Sequence, residues 1–414
     1  MRELDRPPSD HRPIVSGAVT APRETPTRPA RAIDPADWSD PALVARSFFG
    51  NTFGPRRYLT PRWSGTVPKP KCRACLRVDL LAVPTAKRIL VTGATGKVGK
   101  AFIARALSGD DERLGGAVVR ALCHNRKLDP ATRLEVVSGS IERREVAEES
   151  VQGATHVLHL ATSKETPDSI MDVAIKGMFW LLEACRTSST FEQFILVGGD
   201  AGVGHFVYPH PIPVTETQRH TAYPGCYALS KVLEEVMLEQ YGIQYGLNGC
   251  CLRAPWIMEK DDFKYALSFG EDVLGGPRWR DLVGAERADA YVQDGTVPCM
   301  LDEEGRPIRR NFVHVDDLVS AILAALGAPA AHRQTFNISM DEPVDYGELA
   351  AYLARSRGLP SVDIRTPYFS TWLDNTKAKF LLGWRPGYDM ERLTDAAWEY
   401  RRSPDDPRVV WYPG

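Results

Sequence analysis

The sequence predicts an α/β protein: a doubly wound parallel sheet followed by a smaller α/β lobe. Three observations carry this. Short apolar runs alternate with helical patterns from Lys87 onward, a glycine-rich turn joins the first run to the first helix, and the alternation becomes irregular after Arg253. Strands that alternate with helices imply parallel pairing, because each connection must return along the sheet before the next strand starts. No unit of about 20 to 50 residues recurs, which excludes solenoids and propellers.

Taken in order, residues 89–91 are a β-branched and aliphatic run that leads straight into Gly93-Ala-Thr-Gly-Lys-Val-Gly99, and a helical pattern follows through Leu107. Residues 118–122 read as the second strand, 134–137 as the third and 157–160 as the fourth. Residues 194–197 and 247–252 are the fifth and sixth, with helical periodicity over 170–184 and 227–241. This divides the chain into an extension over 1–86, a cofactor-binding domain over 87–255, and a mainly substrate-binding lobe over 256–414 that returns some segments to the first domain. The extension holds 13 of the 31 prolines and little to bury, so it is expected to be poorly ordered.

Charge narrows the partners. Residues 1–86 carry 14 Lys+Arg against 8 Asp+Glu, which leaves 37 against 45 on the remainder. An acidic body does not suit nucleic acid. No apolar run reaches the length of a membrane span, and the amino terminus lacks a secretory pattern, so the expected setting is the cytoplasm, with no membrane contact. Cys72 and Cys75 form a C-x-x-C without further ligands at suitable spacing, so no metal site is expected. Cys250 and Cys251 lie in an apolar run and read as buried.

Two motifs carry chemistry. In the glycine loop, Gly93 allows the tight turn, Gly96 lets backbone approach a pyrophosphate, and Gly99 permits close helix–strand packing. The helix N-terminus then faces the phosphates of a dinucleotide. The second motif is Tyr227-Ala-Leu-Ser-Lys231, whose ends share one face of a helix. A neighbouring ammonium favours phenolate and is expected to lower the Tyr227 pKa, fitting it to move a proton at a substrate oxygen.

From Lys87 to about Trp398 the chain resembles the extended short-chain dehydrogenases/reductases of the NAD-dependent epimerase/dehydratase family. Supporting matches are Val157-Leu-His-Leu-Ala161, Lys176-Gly177, Arg309-Arg-Asn-Phe-Val-His-Val-Asp-Asp317, Phe336-Asn-Ile-Ser339 and Leu382-Gly-Trp384, the last two matching the family's C-terminal lobe. The resemblance implies a Rossmann-type domain with a smaller substrate lobe, NAD or NADP as cofactor, a small-molecule substrate and a homodimer. It implies oxidation or reduction at a secondary alcohol or ketone of a sugar, sugar nucleotide or related polyol. Tyr227 and Lys231 would be catalytic, and both would also touch the cofactor. Further cofactor contacts would come from Thr95, Lys97, Val98, Ser140, Ile141, Leu160, Ala161, Thr162 and Pro255, with substrate contacts from Ser163, Trp256 and Arg310.

The departures matter as much. The family's usual Ser or Thr at the end of the fifth strand aligns with Gly199, so Asp200 is expected to supply the polar contact to substrate, with Thr162 or Ser163 as substitutes. Asp200 matches an aspartate of the family's sugar-nucleotide dehydratases, but their following glutamate is Ala201 here, which disfavours that activity. Trp256 stands where the family often has an Asn, and Arg310 matches an arginine that pairs with substrate phosphate. After the second strand come His124 and Arg126 rather than an acid, which suits a 2′-phosphate and points to NADP or tolerance of both cofactors, where the family habit is NAD. The segment 258–262 reads as a solvated loop and 269–279 as a lid or pocket wall.

Overall fold

The computed structural model describes residues 87–163, 165–271, 277–406 and 408; the extension, with its C-x-x-C, lies outside the described residues. The chain runs β1 (Arg88–Thr92), α1 (Lys97–Ser108), β2 (Val118–Cys123), β3 (Leu134–Ser138), α2 (Arg144–Val151) and β4 (His156–His159). A helical segment begins at Pro167, widens to a π-helix over Met171–Gly177 and continues as α3 (Met178–Thr187). Then come β5 (Gln193–Gly199), α4 (Cys226–Tyr245), β6 (Gly249–Ala254), β7 (Trp256–Met258), β8 (Val297–Leu301), β9 (Arg309–Arg310) and β10 (Phe312–His314). The last elements used below are α5 (Val315–Ala325), β11 (Thr335–Asn337), β12 (Val344–Asp345), α6 (Tyr346–Arg357) and β13 (Ser361–Arg365).

Seven strands form one parallel sheet in the order β11-β6-β5-β4-β1-β2-β3. The order reverses between β1 and β4, which opens a crevice at their carboxyl ends. Ile89, Val91, Val119 and Ile195 bury one face under α1 and α5, while Leu90, Val157, Phe194 and Leu196 bury the other under α2, α3 and α4. Strands covered on both faces are apolar throughout, which is why they read as short continuous runs. β11 carries Phe336 onto the main sheet beside β6, so that match belongs to the sheet and not to the lobe. The lobe has its own core around Phe263, Phe312, Met300, Tyr346 and Leu353, with the small pairs β7–β10, β9–β12 and β8–β13.

Two readings of the lobe change. Phe269 and Trp279 are packed in its core and do not wall the pocket. Met258, Asp261 and Asp262 are buried, not solvated: Asp262 pairs with Lys97, and Asp261 with Arg402 and Arg408. Those partners lie far away along the chain, so a charged pentapeptide that looks soluble becomes a buried junction. No helix among the described residues is long and apolar enough to cross a membrane.

One buried ion pair fixes α4 against the sheet. Arg253, at the end of β6, donates from Nε and Nη2 to Glu235 Oε1 and Oε2 at 3.1 and 2.8 Å. His220 Nε2 lies 3.0 Å from the same carboxylate. Burial works against the Glu235 charge, but His220 and Arg253 outweigh it and hold the pKa at about 2, below the ordinary 4.5. The pair therefore contributes fully above about pH 4.5 and is lost as pH falls towards about 2. Glu235→Gln is expected to cost about 3–5 kcal/mol in denaturant unfolding at neutral pH, because Arg253 is left buried without its counter-charge. A loss below about 0.5 kcal/mol, the range of neutral surface changes, would show that the pair does not anchor the helix.

Candidate active site

A cavity of about 390 Å³ opens where the carboxyl ends of β1, β4, β5 and β6 meet the lobe. The glycine loop forms its floor. Gly93 has φ +66°, and a Cβ there would come within 2.8 Å of the Leu160 carbonyl carbon. A Cβ on Gly99 would lie 2.5 Å from Gly93 O, so the first turn of α1 packs directly on the loop. No side chain caps α1. Its first backbone N–H groups thus face the crevice, an arrangement that fits a pyrophosphate.

Lining this space are Gly93, Gly96, Lys97, Val98, Gly99, Leu160, Thr162, Asp200, Tyr227, Lys231, Pro255, Trp256 and Arg310 of the expected residues. Thr95, His124, Arg126, Ser140, Ile141, Ala161 and Ser163 are not part of the lining. Ile141 is buried in the core, and the Ser163 hydroxyl is 2.5 Å from that of Ser169. His124 and Arg126 are exposed just beyond the carboxyl end of β2. Glu165, His205, Phe206, Tyr223 and Tyr368 also line the cavity and were not anticipated.

α4 presents Tyr227 and Lys231 together. Lys231 Nζ is 5.5 Å from the Tyr227 ring and donates to Glu234 Oε2 at 2.8 Å. Burial opposes the ammonium, but Glu234 and Tyr227 hold the Lys231 pKa above its ordinary value. The expectation for Tyr227 is reversed in the protein without bound cofactor. Burial raises its pKa, Lys231 pulls it down, and Glu234, Asp200 and Glu165 push it up again. Glu234 thus offsets the lysine that the motif supplies. Its place three residues after Lys231, on the same helix face, was a signal available in the sequence.

At the end of β5, Gly199 leaves ordinary contact space for a side chain, with a Cβ 3.7 Å from Lys231 Cγ. Asp200 follows and is committed through Oδ2, which lies 2.6 Å from His205 Nδ1. Arg310 Nη2 donates to His205 Nε2 at 2.8 Å. Arginine only donates, so Nε2 is the lone-pair nitrogen and Nδ1–H donates to Asp200. Burial lowers the His205 pKa, although Asp200 opposes this, and the imidazole stays neutral. Glu165 sits at the N-terminus of α4, where its Oε2 accepts from Cys226 N at 2.8 Å.

Removing the Glu234 charge tests this electrostatic reading. Glu234→Gln is expected to lower the Tyr227 phenolate titration by about 1 pH unit or more, because the carboxylate that most opposes Lys231 is then neutral. Ultraviolet difference titration reads it, with Tyr227 assigned by the component lost in Tyr227→Phe. An unchanged or raised midpoint would contradict the arrangement.

Residues 89–258 match the model of the NAD dependent epimerase/dehydratase family. The chain is 25% identical over 303 residues to UDP-glucuronate 4-epimerase 4 of Arabidopsis thaliana, with 64% of this chain and 63% of that protein covered. It is 26% identical to a UDP-glucose 4-epimerase of Mycolicibacterium smegmatis, covering 72% of this chain and 93% of the relative. Among solved structures, a short-chain dehydrogenase/reductase superfamily protein of Agrobacterium tumefaciens with bound NAD aligns with a TM-score of 0.62 and 26% identity, over 75% of this chain and 95% of that one. In its parallel sheet, its glycine loop and residues 89–258, the chain is similar to the NAD-dependent epimerase/dehydratase family.

Proposed function

We propose that the protein is an NAD(P)-dependent oxidoreductase of the epimerase/dehydratase type, acting at a secondary alcohol or ketone of a sugar, sugar nucleotide or related polyol. The observation that carries this reading is that Tyr227 and Lys231 open into the same cavity as the glycine loop. The nicotinamide cofactor, when bound, accepts or gives the hydride. The backbone of Gly93, Gly96 and Gly99 would hold its pyrophosphate, and Lys231 would reach its ribose. Tyr227 takes the proton from the substrate hydroxyl in oxidation and returns it in reduction. Lys231 keeps a positive charge beside the phenol, and a cationic nicotinamide would add a second, bringing the raised Tyr227 pKa down towards working pH. Asp200, through Oδ1, orients a substrate hydroxyl while His205 holds its other oxygen. Ala201 offers no acid for the departure of water, so simple oxidation or epimerisation is favoured over dehydration.

Tyr227→Phe is expected to lower kcat by about 100- to 10,000-fold while cofactor affinity stays nearly unchanged. Full turnover in that variant would remove Tyr227 from the proton path.

Cofactor preference rests on the loop after β2, where His124 and Arg126 stand exposed. We assign Arg126 to a 2′-phosphate. Arg126→Ala is expected to weaken NADP binding about 10- to 100-fold and leave NAD binding nearly as it was, the loss of a charge-assisted contact. Equal effects on the two nucleotides would place Arg126 outside the site.

A homodimer through α3 and α4 is also proposed. Leu229, Val236 and Ile243 recur every seven residues on α4 and are 49%, 36% and 64% exposed, and exposed Phe179 of α3 lies 6.4 Å from the Tyr241 ring of α4. Ile243→Asp is expected to turn a dimer into a monomer in sedimentation velocity; a wild-type monomer would refute the proposal.

A further inference from the structure

Three cations among the described residues line the cavity, and each is already engaged. Lys97 Nζ is held by the Asp262 carboxylate and donates to the Ile257 carbonyl at 2.8 Å. Lys231 is paired with Glu234. Arg310, 1% exposed, donates to His205 and bonds the Tyr346 phenol. Its guanidinium lies 3.8 Å from the Trp256 ring and 4.2 Å from that of Phe206, so aromatic faces cover it. Burial lowers its pKa, and the Tyr346 phenol and Asp200 only partly oppose this. To meet a phosphate, this side chain would have to give up its imidazole and both rings.

Carboxylates face the same space. Glu165 and Asp200 both line the cavity, each binding protein donors through one oxygen, Oε2 and Oδ2. With Asp262 and Glu234 they make four carboxylates beside three cations. A second diphosphate, beyond the one that the backbone of the glycine loop suits, would enter an acidic, partly apolar space and lose its hydration without gaining a counter-charge from the described residues. A neutral polyhydroxy compound meets the opposite conditions. Its hydroxyls donate to Glu165 and Asp200, and its C–H faces lie on the rings of Tyr223, Trp256 and Tyr368, which also line the cavity.

We propose that the substrate is an uncharged sugar or polyol that carries no nucleoside diphosphate, held between the Glu165 and Asp200 carboxylates and an aromatic wall. This deepens the oxidoreductase reading above and rests on it. The full chain is first loaded with NAD or NADP and the loading measured; a chain that binds neither removes the oxidoreductase reading, and this proposal with it, before any substrate is added. The loaded chain is then titrated with UDP and with UDP-glucose by calorimetry. The expected result is no saturable binding up to about 1 mM of either. Saturation by either one below that concentration overturns the proposal. A parallel panel of D-glucose, D-galactose, L-arabinose and myo-inositol, read as formation of reduced cofactor, is expected to give turnover with at least one member. Conversion of UDP-glucose to UDP-galactose by the same preparation would contradict the proposal even without a measurable heat.

Discussion

Two adjacent buried glutamates on α4 set the terms for everything around them. Glu235 turns towards Arg253 and fixes the helix to β6; Glu234 turns towards Lys231 and holds the lysine under the Tyr227 ring. Both carboxylates are almost wholly buried, so each would be costly alone; Glu234 is answered by Lys231, and Glu235 by Arg253 with His220. Among the described residues, the first pair is the charged tie between the sheet and the helix that carries the tyrosine. Without the second, the lysine head is free to leave the crevice. The same Arg253 leads directly into Ala254, Pro255 and Trp256, which form a side of the cavity, so one ion pair sets both the proton-transfer helix and the wall opposite.

The lobe is tied to that frame by polar side chains, not by a second sheet. Asn337, on β11, donates from Nδ2 to the carbonyls of Val214 and Asp374 at 3.0 and 3.1 Å. Lys97 reaches from the glycine loop to Asp262 and Ile257 of the lobe. The chain Asp200–His205–Arg310 joins the end of β5 to β9. The charged groups around the cavity are therefore each already held by a protein partner, and under the proposed reading specificity comes from hydrogen-bond acceptors and ring faces.

Much of this was legible in the sequence, and the rest was hidden for a physical reason. All six expected strands form, because strands buried on both faces leave apolar runs that local reading detects. The glycine loop and the Tyr227/Lys231 spacing are local geometry, and the cavity holds both. His205, Tyr223, Glu165 and Tyr368 reach it from loops whose positions depend on tertiary packing, so no spacing announced them. Arg310 was expected to meet substrate; its bond to His205 joins residues 105 apart and could not be read locally. The Tyr227 pKa was misjudged because the lysine was counted, while burial of the phenol and, after it, the neighbouring Glu234 carboxylate were not.

The central claim is that the crevice between β1 and β4 is a dinucleotide site that serves Tyr227. The most direct test is to denature the purified chain and identify the released nucleotides by mass spectrometry, with a fluorescence titration of the emptied, refolded protein by NAD and NADP alongside. The account predicts NAD or NADP in the released pool, or saturable binding of at least one of them. A chain that releases no dinucleotide and binds neither would contradict it.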